Sequence, residues 1–128
     1  MILITGGAYQ GKAIFAGELA RQEVEAGKDR TEVVTNLHEI IADAMREEKD
    51  PYALVSEMTE ENPDLIITVN ELGCGIVPMD AFDREWRETT GRISCRLAKK
   101  AERVYRVTCG IAMEIKAEQN GATGSMTV

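Results

Sequence analysis

The stretch "MILITGGAYQGKA" (Met1–Ala13) decides the fold. Ile2–Thr5 is a short apolar, β-branched run that stops at a glycine pair, which reads as a buried parallel strand. Gly6, Gly11 and Lys12 then have the G-x-x-x-x-G-K spacing of a phosphate-binding loop, set between that strand and an amphipathic helix. Such a loop works because successive backbone N–H groups wrap phosphate oxygens and pass them to a helix N-terminus. The glycines permit the backbone conformations, and the lysine adds a point charge at the outer phosphates. Gly6, Gly7, Ala8, Tyr9, Gln10, Gly11, Lys12 and Ala13 are therefore the expected nucleotide-binding set, with Lys12 also catalytic. The position after the lysine should carry a hydroxyl for Mg²⁺, and here it is Ala13. Backbone contacts to phosphate do not need that hydroxyl, whereas phosphoryl transfer leans on the metal. Binding of GTP or ATP is expected to survive better than catalysis, with Mg²⁺ deprived of its usual ligands.

Outward from the loop, helical spacing continues through Ile14, Phe15, Leu19 and Val24, with Gly27 as the stop. "TEVVTN" (Thr31–Asn36) reads as a second, brief strand. "LHEIIADAMREE" (Leu37–Glu48) puts Leu37, Ile40, Ile41, Ala44 and Met45 on one helical face. Pro51 suits the first turn of the next helix, "PYALVSEMTEE". "DLIITV" (Asp64–Val69) is the clearest strand, followed by the glycine-bearing loop "NELGCGIVPMD". A long helix from about Asp80 to Glu102 carries Phe82, Trp86, Ile93, Leu97 and Ala101 along one side and Arg92, Arg96, Lys99 and Arg103 along a neighbouring stripe. "RVYRVTCG" and "IAMEIK" read as a closing hairpin turning at Gly110. Strands that alternate with helices and are apolar nearly throughout imply an α/β fold with a mostly parallel sheet flanked by helices, of P-loop NTPase-like (RecA-like) type. Residues 1–116 form one nucleotide-binding domain in this reading, and residues 117–128 a flexible tail.

The 128 residues suffice for one domain with a real core, and no apolar run approaches a membrane span. No secretion signal is read at the start, and three scattered cysteines without a C-x-x-C suggest reduced thiols in a cytoplasm. A net charge of −7 disfavours nucleic acid and membrane surfaces as partners. Eight of the fifteen Lys and Arg fall between Arg84 and Arg106, however, a candidate surface for a nucleotide phosphate. Arg92 and Arg96 are the residues expected to contribute to it.

A second acid is needed near the loop. "TEVVTN" offers only Thr35 or Asn36, so the candidate is Glu71, which follows "DLIITV" and reaches the ligand edge of a parallel sheet. His38, the single histidine, sits on a helix with no orienting acid but its neighbour Glu39, and adjacent helical residues do not face each other; a structural or solvent-facing position is expected. Nothing near Cys74 in sequence would activate it.

"ILITGGAYQGKA" together with "VNELGCGIVPMDAFDREWRETTGRISCRLAKKAERVYRVTCGIAMEIK" closely resembles the bifunctional adenosylcobinamide kinase/adenosylcobinamide-phosphate guanylyltransferase family of cobalamin biosynthesis. Asn70, Glu71, Gly73, Gly75, Ile76, Val77 and Pro78, then Gly91-Arg92, Arg96-Leu97-Ala98, Gly110-Ile111 and Lys116 carry the likeness. The resemblance implies a P-loop sheet, a purine nucleotide and a corrinoid (adenosylcobinamide) as ligands, and a homo-oligomer. It also implies phosphorylation of the corrinoid's hydroxyl and then guanylyl transfer through a histidine. This chain is shorter than those of the family, and the deficit falls where the guanylylated histidine lies, so that role is not carried over to His38. The hydroxyl of the loop and the acid after the second strand are also missing. The resulting expectation is a nucleotide-binding member with an impaired kinase step and no guanylyl transfer. The alternatives are a non-catalytic nucleotide- or corrinoid-binding partner subunit and a scaffold retaining only its assembly surface.

Overall fold

A computed structural model describes residues 1–72 and 80–117. Residues 73–79 of the glycine-bearing loop, Cys74 among them, and residues 118–128 of the expected tail lie outside the described residues. Along the chain run β1 (Ile2–Gly6), α1 (Lys12–Glu25), β2 (Glu32–Val34), α2 (Leu37–Arg46), α3 (Pro51–Glu61), β3 (Leu65–Asn70), α4 (Ala81–Lys100), β4 (Arg103–Thr108) and β5 (Ile111–Lys116). The sheet has the order β2-β3-β1-β4-β5; the first four strands are parallel and β5 closes one edge antiparallel to β4. Among the described residues, no helix is long and apolar enough to cross a membrane.

β1 and β3 occupy the middle of the sheet and are buried on both faces, which is why their sequences are apolar nearly throughout. Alternate residues feed two cores. Ile2 and Ile4 join Ile66, Tyr105 and Val107 under α1, while Leu3 joins Leu65, Ile67, Val69 and Val104 under α2, α3 and α4. The product is a three-layer α/β/α arrangement. α3 starts as Pro51 implies, with the Asp50 carboxylate accepting hydrogen bonds from the N–H groups of Tyr52 and Ala53. The apolar stripe of α4 packs inward at Ile93 and Leu97, with Trp86 half-buried beside α2.

Two elements depart from expectation. β2 has three residues instead of six, because it pairs with β3 alone at the sheet edge and the chain must turn at Asn36. α1 exposes Ile14 and Val24, at 73% and 49%, and buries Ala16, Leu19 and Glu23. Ile14 lies about 200° around the helix from Ala16 at the α-helical step. Glu23 is tolerated inside because Arg103 of β4 pairs with it, and Lys28 lies 3.7 Å away.

Gly6 ends β1 with φ +153°, and a β-carbon there would stand 2.5 Å from the Val107 carbonyl oxygen on β4. That distance is too short for any non-bonded contact, and the partner is backbone, so no side chain can swing aside. Gly6→Ala should therefore cost about 2–3 kcal/mol, read as a lower urea midpoint with an unchanged slope. A midpoint equal to that of the parent would show that β1 and β4 are not held this close.

Candidate functional site

The order β2-β3-β1-β4 makes the chain leave β1 toward one edge of the sheet and later cross back to β4 on its other side. Crevices open at the C-terminal ends of strands where such a reversal occurs. The loop Gly7–Gly11 lies at this point and is tied on two sides. The Gln10 side-chain carbonyl accepts the Cys109 N–H at 2.6 Å, and its backbone carbonyl accepts the Gly110 N–H at 2.8 Å. On the other side the Glu71 N–H donates to the Gly6 carbonyl at 2.9 Å. Gly11 has φ +93°, so its backbone enters α1 from the left-handed region. Lys12 is buried, and its ammonium folds back to donate to the Gly7 carbonyl at 2.6 Å. Burial pulls its pKa down, and the Glu71 carboxylate opposes that shift.

Beside the loop is a cavity of about 430 Å³, within the range of small-ligand sites. Residues Ala8–Ile14 form one wall, and Thr35, Asn36, His38, Glu39, Thr68 and Asn70 form the other. The second wall is built from the ends of β2 and β3. Asn36 takes φ +56° and starts α2, and its N–H donates to the buried Thr68 hydroxyl at 2.9 Å. The N-termini of α1 and α2 thus both border the cavity, each with a positive dipole end. Glu39 in the first turn of α2 offsets part of that charge.

His38 is almost fully buried, at 5% exposure. Its Nδ1 accepts the Asn70 N–H at 3.1 Å, and its carbonyl accepts the Trp86 indole N–H at 2.7 Å. With Nδ1 an acceptor, the neutral ring carries its proton on Nε2. Burial lowers its pKa below the ordinary 6.5; Glu39 opposes this and Lys12 adds to it.

The structure brings Ala8, Tyr9, Gln10, Gly11, Lys12 and Ala13 to the cavity. Gly6 supports the loop from beneath, and Gly7 faces a neighbouring depression with Gln10, Glu71, Arg106, Val107 and Thr108. Glu71 is on that flank: Arg106 grips its two carboxylate oxygens at 2.9 and 3.0 Å, and the Thr5 hydroxyl approaches one of them at 3.5 Å. Arg92 and Arg96 do not line the loop cavity. Arg92 pairs with Glu88 one turn back at 2.6 Å, and Arg96 stacks 4.5 Å over the Tyr52 ring. Both are exposed, and the residues of α4 that share a depression with Glu71 are Thr90, Gly91 and Ser94. His38 and Glu39 form part of the site although neither was expected to. The available signal was an asparagine between a short strand and a helix, which turns the first turn of that helix to the ligand edge. Where the usual loop hydroxyl would sit, Ala13 offers no oxygen, and the carboxylate lining the cavity is that of Glu39.

The family described as cobinamide kinase / cobinamide phosphate guanyltransferase matches residues 26–115. The bifunctional adenosylcobalamin biosynthesis protein CobU of Salmonella typhimurium is 40% identical over 52 residues, 41% of this chain and 29% of that protein. CobP of Pseudomonas aeruginosa, with the same description, is 30% identical over 103 residues, 77% of this chain and 59% of that protein. The chain therefore covers less than two thirds of the length of these relatives.

The buried imidazole has a consequence for stability. Its folded pKa lies below the unfolded value, so the unfolded chain binds the extra proton first as pH falls. The stability that His38 contributes is whole above 6.5 and declines as pH drops through the folded value. Urea unfolding between about pH 7.5 and 5 should show that loss, and His38→Gln should flatten this part of the profile. An identical profile for the two proteins would mean that His38 is not buried in its neutral form.

Proposed function

The chain belongs to the cobinamide kinase / cobinamide phosphate guanyltransferase family, and on that premise we propose that it binds a purine nucleoside triphosphate, GTP or ATP, in the cavity beside Gly6–Ala13. The supporting observation is the combination of a clamped loop, a buried Lys12 and a cavity of about 430 Å³ at the reversal point of a parallel sheet. An arriving phosphate replaces the Gly7 carbonyl as the partner of Lys12 and meets the free N–H groups at the start of α1.

The reaction open to this site is kinase-type transfer. A hydroxyl oxygen of the acceptor, a corrinoid of the adenosylcobinamide type, attacks the terminal phosphorus, its proton leaves to solvent, and the bond to the bridging oxygen breaks to release the nucleoside diphosphate. Mg²⁺, when bound, supplies charge neutralisation on the phosphates. Ala13 lacks the oxygen that usually helps hold it, so we infer that turnover is reduced and that guanylyl transfer is lost with the missing segment. Glu71 enters as a positioning residue that orients Arg106 and anchors Gly6 through its N–H. Work as a homo-oligomer in the cytoplasm completes the reading; exposed Ile111, Met113 and Ile115 on edge strand β5 support an assembly surface. The second reading, a non-catalytic nucleotide- or corrinoid-binding partner subunit, is favoured by Ala13 and by the engagement of Glu71 with Arg106.

Calorimetric titration with GTP and ATP, with and without Mg²⁺, tests the reading. Binding is expected in both conditions, and Lys12→Ala should weaken it by roughly ten- to a hundredfold. Absence of binding at millimolar nucleotide overturns the proposal. Ala13→Ser should raise Mg²⁺-dependent affinity or turnover; no effect on either would count against a metal–nucleotide complex here.

A further inference from the structure

Charge balance in the cavity leaves a gap. A triphosphate seated on the loop brings several negative charges, and the residues on its wall present one full positive charge, Lys12, against the carboxylate of Glu39. The α1 and α2 N-termini contribute partial charges only. Ala13 supplies no metal-directed oxygen. A further donor is needed, and the wall across from the loop includes a ring held in a fixed orientation with a hydrogen to spare, on a side chain that can also carry positive charge.

That side chain is His38. Its ring is positioned from three elements: α2 carries it, the β3 backbone at Asn70 occupies Nδ1, and Trp86 of α4 holds its carbonyl with the rings 6.3 Å apart. Nδ1 is used inside the fold, so Nε2–H is the remaining donor on a residue that lines the cavity. Resting on the nucleotide-binding reading, we propose that His38 contacts the ligand directly, its Nε2–H donating to a phosphate oxygen of the nucleotide held by the loop. It takes over part of the charge compensation that a loop hydroxyl and its metal would provide.

The titration behaviour agrees with this placement. The groups that face His38 are Lys12 from the loop end of α1 and Glu39 from its own helix; Asn70 of β3 and Trp86 of α4 are uncharged. In the free protein burial keeps the ring neutral at pH 7. A bound phosphate brings negative charge to the same cavity and raises the pKa, while the Asn70 N–H on Nδ1, which only the neutral ring can accept, keeps the proton on Nε2 as the donor. Binding then remains substantial without metal.

His38 is the single histidine, so its ring nitrogens are observed without assignment in a ¹⁵N-labelled full chain. The probes are inorganic tripolyphosphate and ATP, both without Mg²⁺. At a pH where the ring is neutral, adding either should move the Nε2 resonance while Nδ1 keeps its acceptor character, and in a titration the ring pKa should rise by about one unit or more. His38→Asn, which keeps an acceptor for the Asn70 N–H and lacks the far donor, should bind tripolyphosphate about tenfold more weakly. His38→Gln, which restores a donor near the Nε2 position, should recover most of that loss. The inference is overturned if the wild-type chain binds in a Lys12-dependent way while the ring signals and pKa stay put, or if His38→Asn binds like wild type; nucleotide binding by the loop would then still stand. No binding by the wild-type chain overturns both. Should the variants fail to fold, the wild-type ring titration decides alone.

Discussion

Gly6 sets the geometry on which the rest depends. β1 and β4 approach so closely at its α-carbon that a methyl group there would sit 2.5 Å from the Val107 carbonyl oxygen. This contact brings the C-terminal end of β1 against the β4–β5 turn, within reach of the two hydrogen bonds from that turn to Gln10. With the Glu71 N–H on the other side, the loop is held from both neighbouring strands before any ligand arrives. Ordering a loop costs about 1–2 kcal/mol per residue in backbone entropy. Here folding meets that cost, so a phosphate finds its N–H donors already in place.

The two flanks of the loop divide the charged residues between them. On one flank Lys12, His38 and Glu39 border the cavity; on the other, Glu71 and Arg106 pair beside Gly7. The division follows from strand order. β3 lies between β1 and β2, so the segment after β2 is carried to the loop's cavity along with Asn70, while Glu71, one residue further on, turns toward β4. Successive residues at a strand end point to opposite faces, so a one-residue difference selects the flank. Glu71 is thus spent on holding Arg106, and Glu39 becomes the carboxylate that a ligand meets.

Much of the fold was legible because its elements announce themselves locally. "LIITV" is apolar at every position but Thr68 and proves buried at every position; Pro51 with Asp50 marks a helix start that the structure keeps; Gly27 and Gly110 mark a stop and a turn. The errors fall where tertiary partners outweigh local pattern. The face of α1 was misjudged because Glu23, a poor core residue on its own, is buried by Arg103 from eighty positions away. β2 was drawn too long because an edge strand with one neighbour ends where its pairing ends. The loop was readable as a contiguous motif, whereas the opposite wall comes from residues 35–39 and 68–70, which only the order β2-β3-β1 brings together. Arg92 and Arg96 look like an anion surface in sequence, yet charge spacing cannot say which side of a twenty-residue helix borders the sheet edge.

The extent of the family match bears on how the site is built. It begins at residue 26, after the loop and α1, and runs to residue 115. Among the described residues, the backbone groups that fix the loop from outside lie in that matched part: the Glu71 N–H, the Cys109 and Gly110 N–H groups, and the Val107 carbonyl that excludes a side chain at Gly6. The opposite wall of the cavity, from Thr35 to Asn70, lies there too. The loop contributes its own glycines and lysine, but its position is imposed by the matched scaffold. Replacing a hydroxyl by the methyl of Ala13 therefore leaves the cradle in place: none of these restraints runs through that side chain, and the change reaches only the charge that the site can set against a phosphate.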